Sequence, residues 1–201
     1  MDDRAPRSLR NEHVAATRRA IVEVARARFG AEGYAATSVD DIVRDAGVTK
    51  GALYHHFENK DQLFEEVVDE LESEIAARGA VAALKGGNDP LAALFRAFSV
   101  FLDASMEPEV QRIALLDAPS VLGAERFDAI VRRHTLLPVA AVLEAAIKEG
   151  VVQRVDAEAL AQLLLGACTQ AGMVIARAPD PARARRIVAK SLKVLVYGLA
   201  K

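Results

Sequence analysis

Residues 38–60, SVDDIVRDAGVTKGALYHHFENK, constrain the fold more than any other part of the chain. Ser38, followed three residues later by Asp41, forms a capping box in which a hydroxyl and a carboxylate begin a helix. Gly47 suits the left-handed backbone conformation that often ends a helix, and Thr49 is a residue type that caps the start of the next helix. The spacing therefore predicts two helices of only two to three turns, joined by a tight turn.

Two short helices joined through a glycine have the organisation of a helix-turn-helix, whose second helix enters the DNA major groove. Apolar side chains at helical spacing can pack the pair together and onto the preceding helix; they are Phe29, Val39, Ile42, Val43, Val48, Leu53 and Phe57. The side chains left outside include donors suited to phosphate and small residues that permit close approach to a duplex. The alternative is a short amphipathic helix that only completes an all-α core.

The rest of the chain is also helical in pattern, because good helix formers dominate and hairpin turn signals are missing. The predicted helices cover about 12–31, 38–47, 50–56, 59–78, 90–104, 124–149, 157–178 and 180–199, with further starts at Pro108 and Pro119. Pro138 is expected to bend the long helix. The sequence predicts an all-α fold of about nine helices. An N-terminal arm and three-helix domain span 1–60, and a larger helical domain spans 61–201.

The composition neither supports nor excludes a nucleic-acid partner, since the chain has 26 Lys and Arg against 28 Asp and Glu, a net charge of −2. A nucleic-acid partner must therefore be argued from where the charges lie. The single cysteine, Cys168, excludes an internal disulfide and a cysteine-based zinc site. No apolar run nears the roughly 18 residues of a membrane span, and no secretory signal is visible, which favours the cytoplasm. Enzyme motifs such as GxSxG, the Walker loop and HExxH are missing, so we expect no enzyme, cofactor or metal site.

Residues 21–64 resemble the DNA-binding domain of the TetR family of bacterial transcriptional repressors. The resemblance is carried by Phe29, Gly33, Tyr34, TSVDDI at 37–42, AGV at 46–48, KGALYHHF at 50–57, Asn59, Lys60 and Leu63. It implies a two-domain helical fold, a homodimer, and a ligand pocket in the C-terminal domain.

By position, the resemblance implies nine residues in contact with DNA. Ser38 and Lys60 match phosphate contacts, Thr49, Lys50, Gly51 and Ala52 match base-facing positions, and Tyr54, His55 and His56 match the groove edge. An extended arm with Arg4, Arg7 and Arg10 is either a further DNA contact or a solvated tail. Arg18 and Arg19 either face phosphates or are ordinary surface arginines.

The last two predicted helices carry apolar and small residues on more than one face, which predicts burial on more than one side. The resemblance implies that they form a four-helix dimer interface, with Leu160, Leu164, Cys168, Ile175, Val188, Leu192 and Leu195 as candidates. The alternative is a monomer core. For Cys168, a buried apolar role is favoured over redox sensing.

The middle section, 91–149, is apolar with few aromatic residues and is expected to bind a small hydrophobic effector. The candidate lining residues are Phe95, Phe98, Leu102, Leu116, Asp117, Leu122, Phe127, Val131 and Gln170. Asp117 is interpreted either as a ligand contact or, preferably, as the cap of a helix that starts at Pro119.

These features predict a ligand-responsive repressor that binds a palindromic operator as a dimer and is released by the effector. The fourth helix, which joins the two domains, would transmit the change. The alternative is a helical ligand-binding or assembly protein whose helix-turn-helix is only structural.

Overall fold

The computed structural model describes residues 5–85 and 87–201, and every regular element in them is a helix. The helices are α1 (Ala5–Glu32), α2 (Val39–Asp45), α3 (Lys50–His56), α4 (Lys60–Ala83), α5 (Pro90–Ala104), α6 (Pro108–Val110), α7 (Ala118–Val131), α8 (Leu137–Lys148), α9 (Ala157–Ala176) and α10 (Pro181–Tyr197). Two π-helical segments, Gln111–Asp117 and Arg132–Leu136, join α6, α7 and α8. If α6, α7, α8 and the two π-helical segments are counted as one continuous helix, the described residues contain eight helices. The all-α prediction is confirmed.

The short helices begin where the sequence predicts, because side chains cap them. Ser38 Oγ accepts a hydrogen bond from Asp41 N at 3.1 Å, and Thr49 Oγ1 accepts one from Ala52 N at 3.1 Å. Asn59 Oδ1 does the same for Gln62 N at 2.8 Å. These contacts satisfy backbone N–H groups that a helix start otherwise leaves free.

Two predicted boundaries are wrong. The chain is already helical from Ala5, so the part of the predicted extended arm that follows Arg4 belongs to α1. Arg4 itself lies outside the described residues, and so do the side chains of Arg7 and Arg10. The second wrong boundary is the end of α4, which continues to Ala83, beyond the predicted end near residue 78.

The stretch 108–148 also differs from the prediction. Pro119 lies in the first turn of α7, as predicted, but α7 is broken at Gly123, whose φ of 73° is left-handed. Each π-helical segment ends within two residues of a proline, Pro119 or Pro138. A proline lacks the N–H group of an α-helical bond and clashes with the carbonyl four residues earlier, which the wider π turn relieves.

The buried side chains form two clusters. The first joins α1, α2, α3 and α4 to α6 and α7, so the core is continuous across the predicted domain boundary at residue 60. The second joins α5, α8, α9 and α10. Helix α9 is long and apolar enough for a membrane span, which the sequence analysis did not anticipate, but it contributes Ala161, Leu164, Cys168, Gly172 and Ile175 to the buried interior. We interpret it as a core helix.

Candidate nucleic-acid interface

Helix α3 presents one face to the core and the other to solvent. Leu53 is buried, and Phe57, which ends the helix, is buried as well. Thr49, Lys50, Gly51, Tyr54 and His55 are exposed, and Ala52 and His56 are half-buried. Seven of the nine predicted DNA contacts therefore share one surface, which we call the recognition surface.

The turn before α3 fixes how this surface is presented. Gly47 has a φ of 66°, and Val48 N donates a hydrogen bond to Val43 O at 3.0 Å. A left-handed φ is costly for a residue with a Cβ, so glycine is favoured here on conformational grounds. The tight turn places α3 directly after α2.

The hydroxyl groups that cap α2 and α3 differ in whether they can still donate a hydrogen bond. Ser38 Oγ also lies 2.6 Å from Asp41 Oδ2, so its proton is donated to that carboxylate. Thr49 Oγ1 accepts from the backbone, and its O–H remains available to donate. Thr49 is thus better suited than Ser38 to donate to a phosphate oxygen.

The basic side chain on the recognition surface is paired within the protein. Lys50 Nζ lies 2.7 Å from Asp40 Oδ1, and this contact raises the pKa of Lys50. Asp41 is paired with Arg44 at 2.6 Å and, through the Ser38 hydrogen bond and this pair, has a lowered pKa. Acidic groups of α2 therefore lie beside the surface proposed to meet DNA.

Lys60 lies at the start of α4, where it supports the α1–α2 loop. Its Nζ donates to Tyr34 O and Thr37 O at 3.0 Å each and lies 3.9 Å from the centre of the Tyr34 ring. Tyr34 in turn donates its hydroxyl to Asp61, and burial together with this carboxylate raises the pKa of Tyr34. An ammonium group has three N–H donors, so one remains for a phosphate, and that role of Lys60 stays a prediction.

His56 and Arg18 meet at the edge of the surface. Burial, followed by the charges of His55 and Arg18, lowers the pKa of His56 below 6.5, so it is a neutral donor or acceptor at neutral pH. Arg18 is paired with Glu66 at 2.6 Å and lies over the Phe57 ring, so it is not free for a phosphate in this structure. Arg19 is exposed.

A second set of contacts fixes the end of α1 to the larger domain. Arg26 donates to both carboxylate oxygens of Glu109 at 2.9 and 3.0 Å. Arg112 Nη2 donates to Glu32 O at 3.2 Å. Asp117 Oδ2 accepts from Tyr34 N at 2.8 Å. The Asp117 side chain therefore makes no cap hydrogen bond at the start of α7, contrary to the preferred interpretation, and binds the backbone of the α1–α2 loop instead.

The nine predicted pocket residues do not line one cavity. Phe98 and Leu102 are packed in the second core cluster and Leu122 in the first, whereas Leu116 and Gln170 are exposed. Phe127 packs on the first cluster, and Val131 is half-buried.

Phe95 borders an open groove of about 520 Å³ whose other lining residues are Arg183, Arg185, Arg186, Ile187, Ala189, Lys190 and Lys193. Leu116 and Gln170 are exposed and the Asp117 carboxylate binds Tyr34 N, so a shared pocket for these residues stays a prediction.

Glu72 is a buried acidic residue that was not among the predicted site residues. It is 8 % exposed on α4, and burial raises the pKa of its carboxyl group to about 7. Its burial could have been predicted from the sequence, because Glu72 lies at helical spacing from the apolar residues Val68 and Ile75 and from Gly79. No group of three or more possible metal ligands occurs in the described chain.

Four predicted dimer contacts lie inside the subunit. Leu164, Cys168, Ile175 and Leu192 are buried in the second cluster, and burial raises the pKa of the Cys168 thiol to about 12. These four offer no surface to a partner, because their faces of α9 and α10 pack on α5 and α8. The outward faces carry Leu195, a fifth predicted contact, together with Leu163, Val174, Ile187 and Val194. Leu160 and Val188 are half-buried at the edge of the core.

Comparison with known proteins matches both parts of the chain. A family model described as bacterial regulatory proteins of the tetR family matches residues 21–67, and one described as a tetracyclin repressor-like C-terminal domain matches residues 91–199. A TetR-family transcriptional regulator from Pectobacterium atrosepticum is 33% identical, with 94% of this chain and 96% of that chain covered and a TM-score of 0.80.

Two curated relatives match part of the chain. The HTH-type transcriptional regulator AcrR of Shigella flexneri is 34% identical over 49% of this chain and 46% of that protein. The probable acrEF/envCD operon repressor of Escherichia coli K12 is 49% identical over 25% of this chain and 23% of that protein. The alignments thus span less than half of either relative's length.

Proposed function

Because the chain belongs to the TetR family of bacterial regulatory proteins, we propose that it is a transcriptional regulator that binds a palindromic DNA operator as a homodimer. We propose further that it acts in the cytoplasm as a repressor, and that a small hydrophobic effector releases it. A relative named as a probable operon repressor supports this direction of control.

The observation that carries the proposal is the exposed recognition surface of α3. This helix has no acidic residue, begins at a cap whose hydroxyl can still donate, and presents Gly51 and Ala52, which add little bulk. Lys50 and Tyr54 supply donors beside them. Such a surface suits insertion in a major groove, with bases read by the small residues and phosphates held at the rim.

The homodimer is supported by the unpartnered apolar faces of α9 and α10. Leu163 is 74 % exposed and Val194 is 72 % exposed, and both lie on helices that are otherwise packed. Two subunits joined on this face would present two recognition helices to one side of a duplex. A twofold dimer reads half-sites about 34–36 Å apart, one helical turn of DNA.

Selection of genomic DNA fragments by the purified protein tests the proposal. We expect enrichment of a palindromic sequence that the protein binds with salt-dependent affinity, since phosphate contacts release counterions. A helical ligand-binding or assembly protein with a purely structural helix-turn-helix would enrich no sequence. That result would favour the alternative function.

A further inference from the structure

Helix α10 carries a row of basic side chains that have no acidic partner. The helix contains five basic residues and no acidic one. Four of them are exposed and follow one another at three- and four-residue spacing, which places them on one face of the helix; we call Arg183, Arg186, Lys190 and Lys193 the basic row. None of these four forms an ion pair with the described residues. The fifth, Arg185, donates to both carboxylate oxygens of Asp103 at 2.8 and 3.1 Å.

The fold alone does not account for the basic row. Like charges three or four residues apart repel one another and destabilise a helix. The chain as a whole has a net charge of −2, and basic residues elsewhere, such as Arg26 and Arg133, are ion-paired. An anion bound along the row would remove the repulsion. The concentration of unpaired charge therefore indicates a binding role.

The basic row lines the open groove of about 520 Å³ that Phe95 of α5 borders. This volume is within the range of about 300–1,000 Å³ that is typical of small-molecule sites. Helical geometry places the row between the buried face of α10, with Leu192 and Val196, and its outward apolar face, with Ile187 and Val194. The groove thus lies outside both core clusters and beside the face proposed for the dimer.

Aromatic rings stand at one end of the row. The ring centroids of Phe95 and Tyr197 are 6.3 Å apart in an edge-to-face arrangement. Lys193 Nζ lies 5.9 Å from the Phe95 centroid and 5.5 Å from the Tyr197 centroid. Both rings are only partly buried. The groove therefore combines several positive charges with an aromatic surface on which a flat ring can pack.

We propose that this groove binds an aromatic ligand that carries at least two phosphate groups, the chemistry of a nucleoside diphosphate. Arg183 and Arg186 offer planar forks that donate two N–H groups to one phosphate, and the lysines add point charges. The basic row extends about 15 Å along the helix axis, so several of its side chains can reach neighbouring phosphates. The ring of the ligand would pack against Phe95. This site goes beyond the proposed DNA binding and does not depend on it.

Calorimetric titration of the full-length protein tests the proposal. The probes are ADP, pyrophosphate and adenosine, at pH 8 with EDTA so that no Mg²⁺ competes for the phosphates. We expect ADP to bind roughly tenfold or more tightly than adenosine, because charge-assisted hydrogen bonds to the phosphates are then lost. ADP should also bind on the order of tenfold more tightly than pyrophosphate, which lacks a ring to stack. ADP that fails to bind, or that binds no more tightly than pyrophosphate, would overturn the proposal.

Matched variants locate the binding. The double variant Arg186→Gln, Lys190→Gln removes two exposed charges from the row and should weaken ADP binding about tenfold or more. The double variant Lys148→Gln, Arg154→Gln removes the same two charge types from exposed positions outside the groove and should bind ADP within about twofold of the parent. Phe95→Leu should bring ADP and pyrophosphate within about threefold of one another. Unchanged ADP affinity in the Arg186 and Lys190 variant would place the site elsewhere and overturn the proposal.

Two larger polyanions are tested with the same double variants. Vesicles containing phosphatidylserine and the selected operator fragment are each titrated with the parent protein. Binding of either one that is lost in the Arg186 and Lys190 variant, while ADP does not bind, would assign the basic row to a membrane or to DNA and overturn the proposal. Operator binding that persists without ADP binding would refute this inference alone, whereas ADP binding without operator binding would refute only the regulator function.

Discussion

Lys50 Nζ lies 2.7 Å from Asp40 Oδ1, so the first residue of the recognition helix is ion-paired with the first turn of the helix before it. Lys50 is also among the residues proposed to face DNA. A base or phosphate must therefore compete with Asp40 for the lysine, and the carboxylate itself repels the phosphate backbone. Asp40 is expected to weaken DNA binding.

We predict that Asp40→Asn strengthens operator binding by roughly threefold to fivefold, since it frees Lys50 and removes a repelling charge. Fluorescence anisotropy with a selected operator, at two salt concentrations, measures the change. Asp128→Asn, on the exposed face of α7, should have no effect. An unchanged affinity for Asp40→Asn would remove Lys50 from the interface.

Tyr54 should matter for DNA binding but little for folding, because its side chain is 50 % exposed. We predict that Tyr54→Ala weakens operator binding on the order of tenfold while the unfolding free energy changes by less than about 0.5 kcal/mol. Its neighbour provides the contrast, since Leu53 is buried and Leu53→Ala should cost about 2–5 kcal/mol of stability. Equal operator binding by Tyr54→Ala would exclude the side chain from the contact.

The exposed apolar face of α9 and α10 predicts how the dimer forms. Val194→Glu places a charge on that face and should shift the protein toward monomer, as measured by light scattering after gel filtration. Operator affinity should fall with it, because a monomer contacts one half-site. Ala145→Glu adds the same side chain to the exposed face of α8 and should leave the dimer intact. A dimeric Val194→Glu protein would place the interface elsewhere.

Local chemistry explains why the DNA-binding part was predictable from sequence. Ser38 and Thr49 cap helices through atoms only three residues away, and Gly47 ends a helix by its own backbone conformation. The bounds of α3 follow from such signals without knowledge of the rest of the chain. The exposed set on this helix follows once Leu53 is assigned to the core.

Contacts between distant parts of the chain were not predictable in this way. Asp117 lies before a proline and resembles a cap, yet its carboxylate binds Tyr34 N, 83 residues earlier. Leu163 and Leu164 are adjacent and chemically identical, but one is exposed and the other buried. A helix that is apolar on several faces does not reveal from its sequence which face meets its own subunit.

Gly33 and Gly47 form a natural pair for testing the joint between the domains. Both have positive φ, 86° and 66°, but a Cβ on Gly33 would lie 2.1 Å from Arg112 Nη2, whereas one on Gly47 would meet nothing within 4 Å. We predict that Gly47→Ala costs about 1–2 kcal/mol from backbone strain alone. Gly33→Ala should cost more, about 2–3 kcal/mol, because the Arg112 guanidinium must also leave Glu32 O.

Urea unfolding at fixed protein concentration measures both costs. The Gly33→Ala variant should also lose part of its excess cost when combined with Arg112→Ala, since the clash is then absent. Equal costs for the two glycine substitutions would show that Arg112 moves aside freely and does not hold the end of α1.

The buried acid on α4 predicts a pH dependence of stability with a definite sign. The pKa of Glu72 is about 7 in the folded protein, against an ordinary value of 4.5. Below pH 4.5 the group is protonated in both states and has no effect. Between pH 4.5 and 7 the unfolded chain loses this proton first, so the folded state is progressively destabilised as pH rises. The full loss corresponds to about 3 kcal/mol above pH 7.

Glu72→Gln removes this titration and keeps the size of the side chain. We therefore predict that the variant is more stable than the parent at pH 8, by about 1–3 kcal/mol, with a smaller difference at pH 5. Urea unfolding at the two pH values, at one protein concentration, measures the difference. Glu144→Gln should match the parent at both, because that residue is exposed. A gain that is equal at pH 5 and pH 8 would mean that Glu72 ionises normally in the folded protein, and the buried acid would then have a partner or solvent beside it.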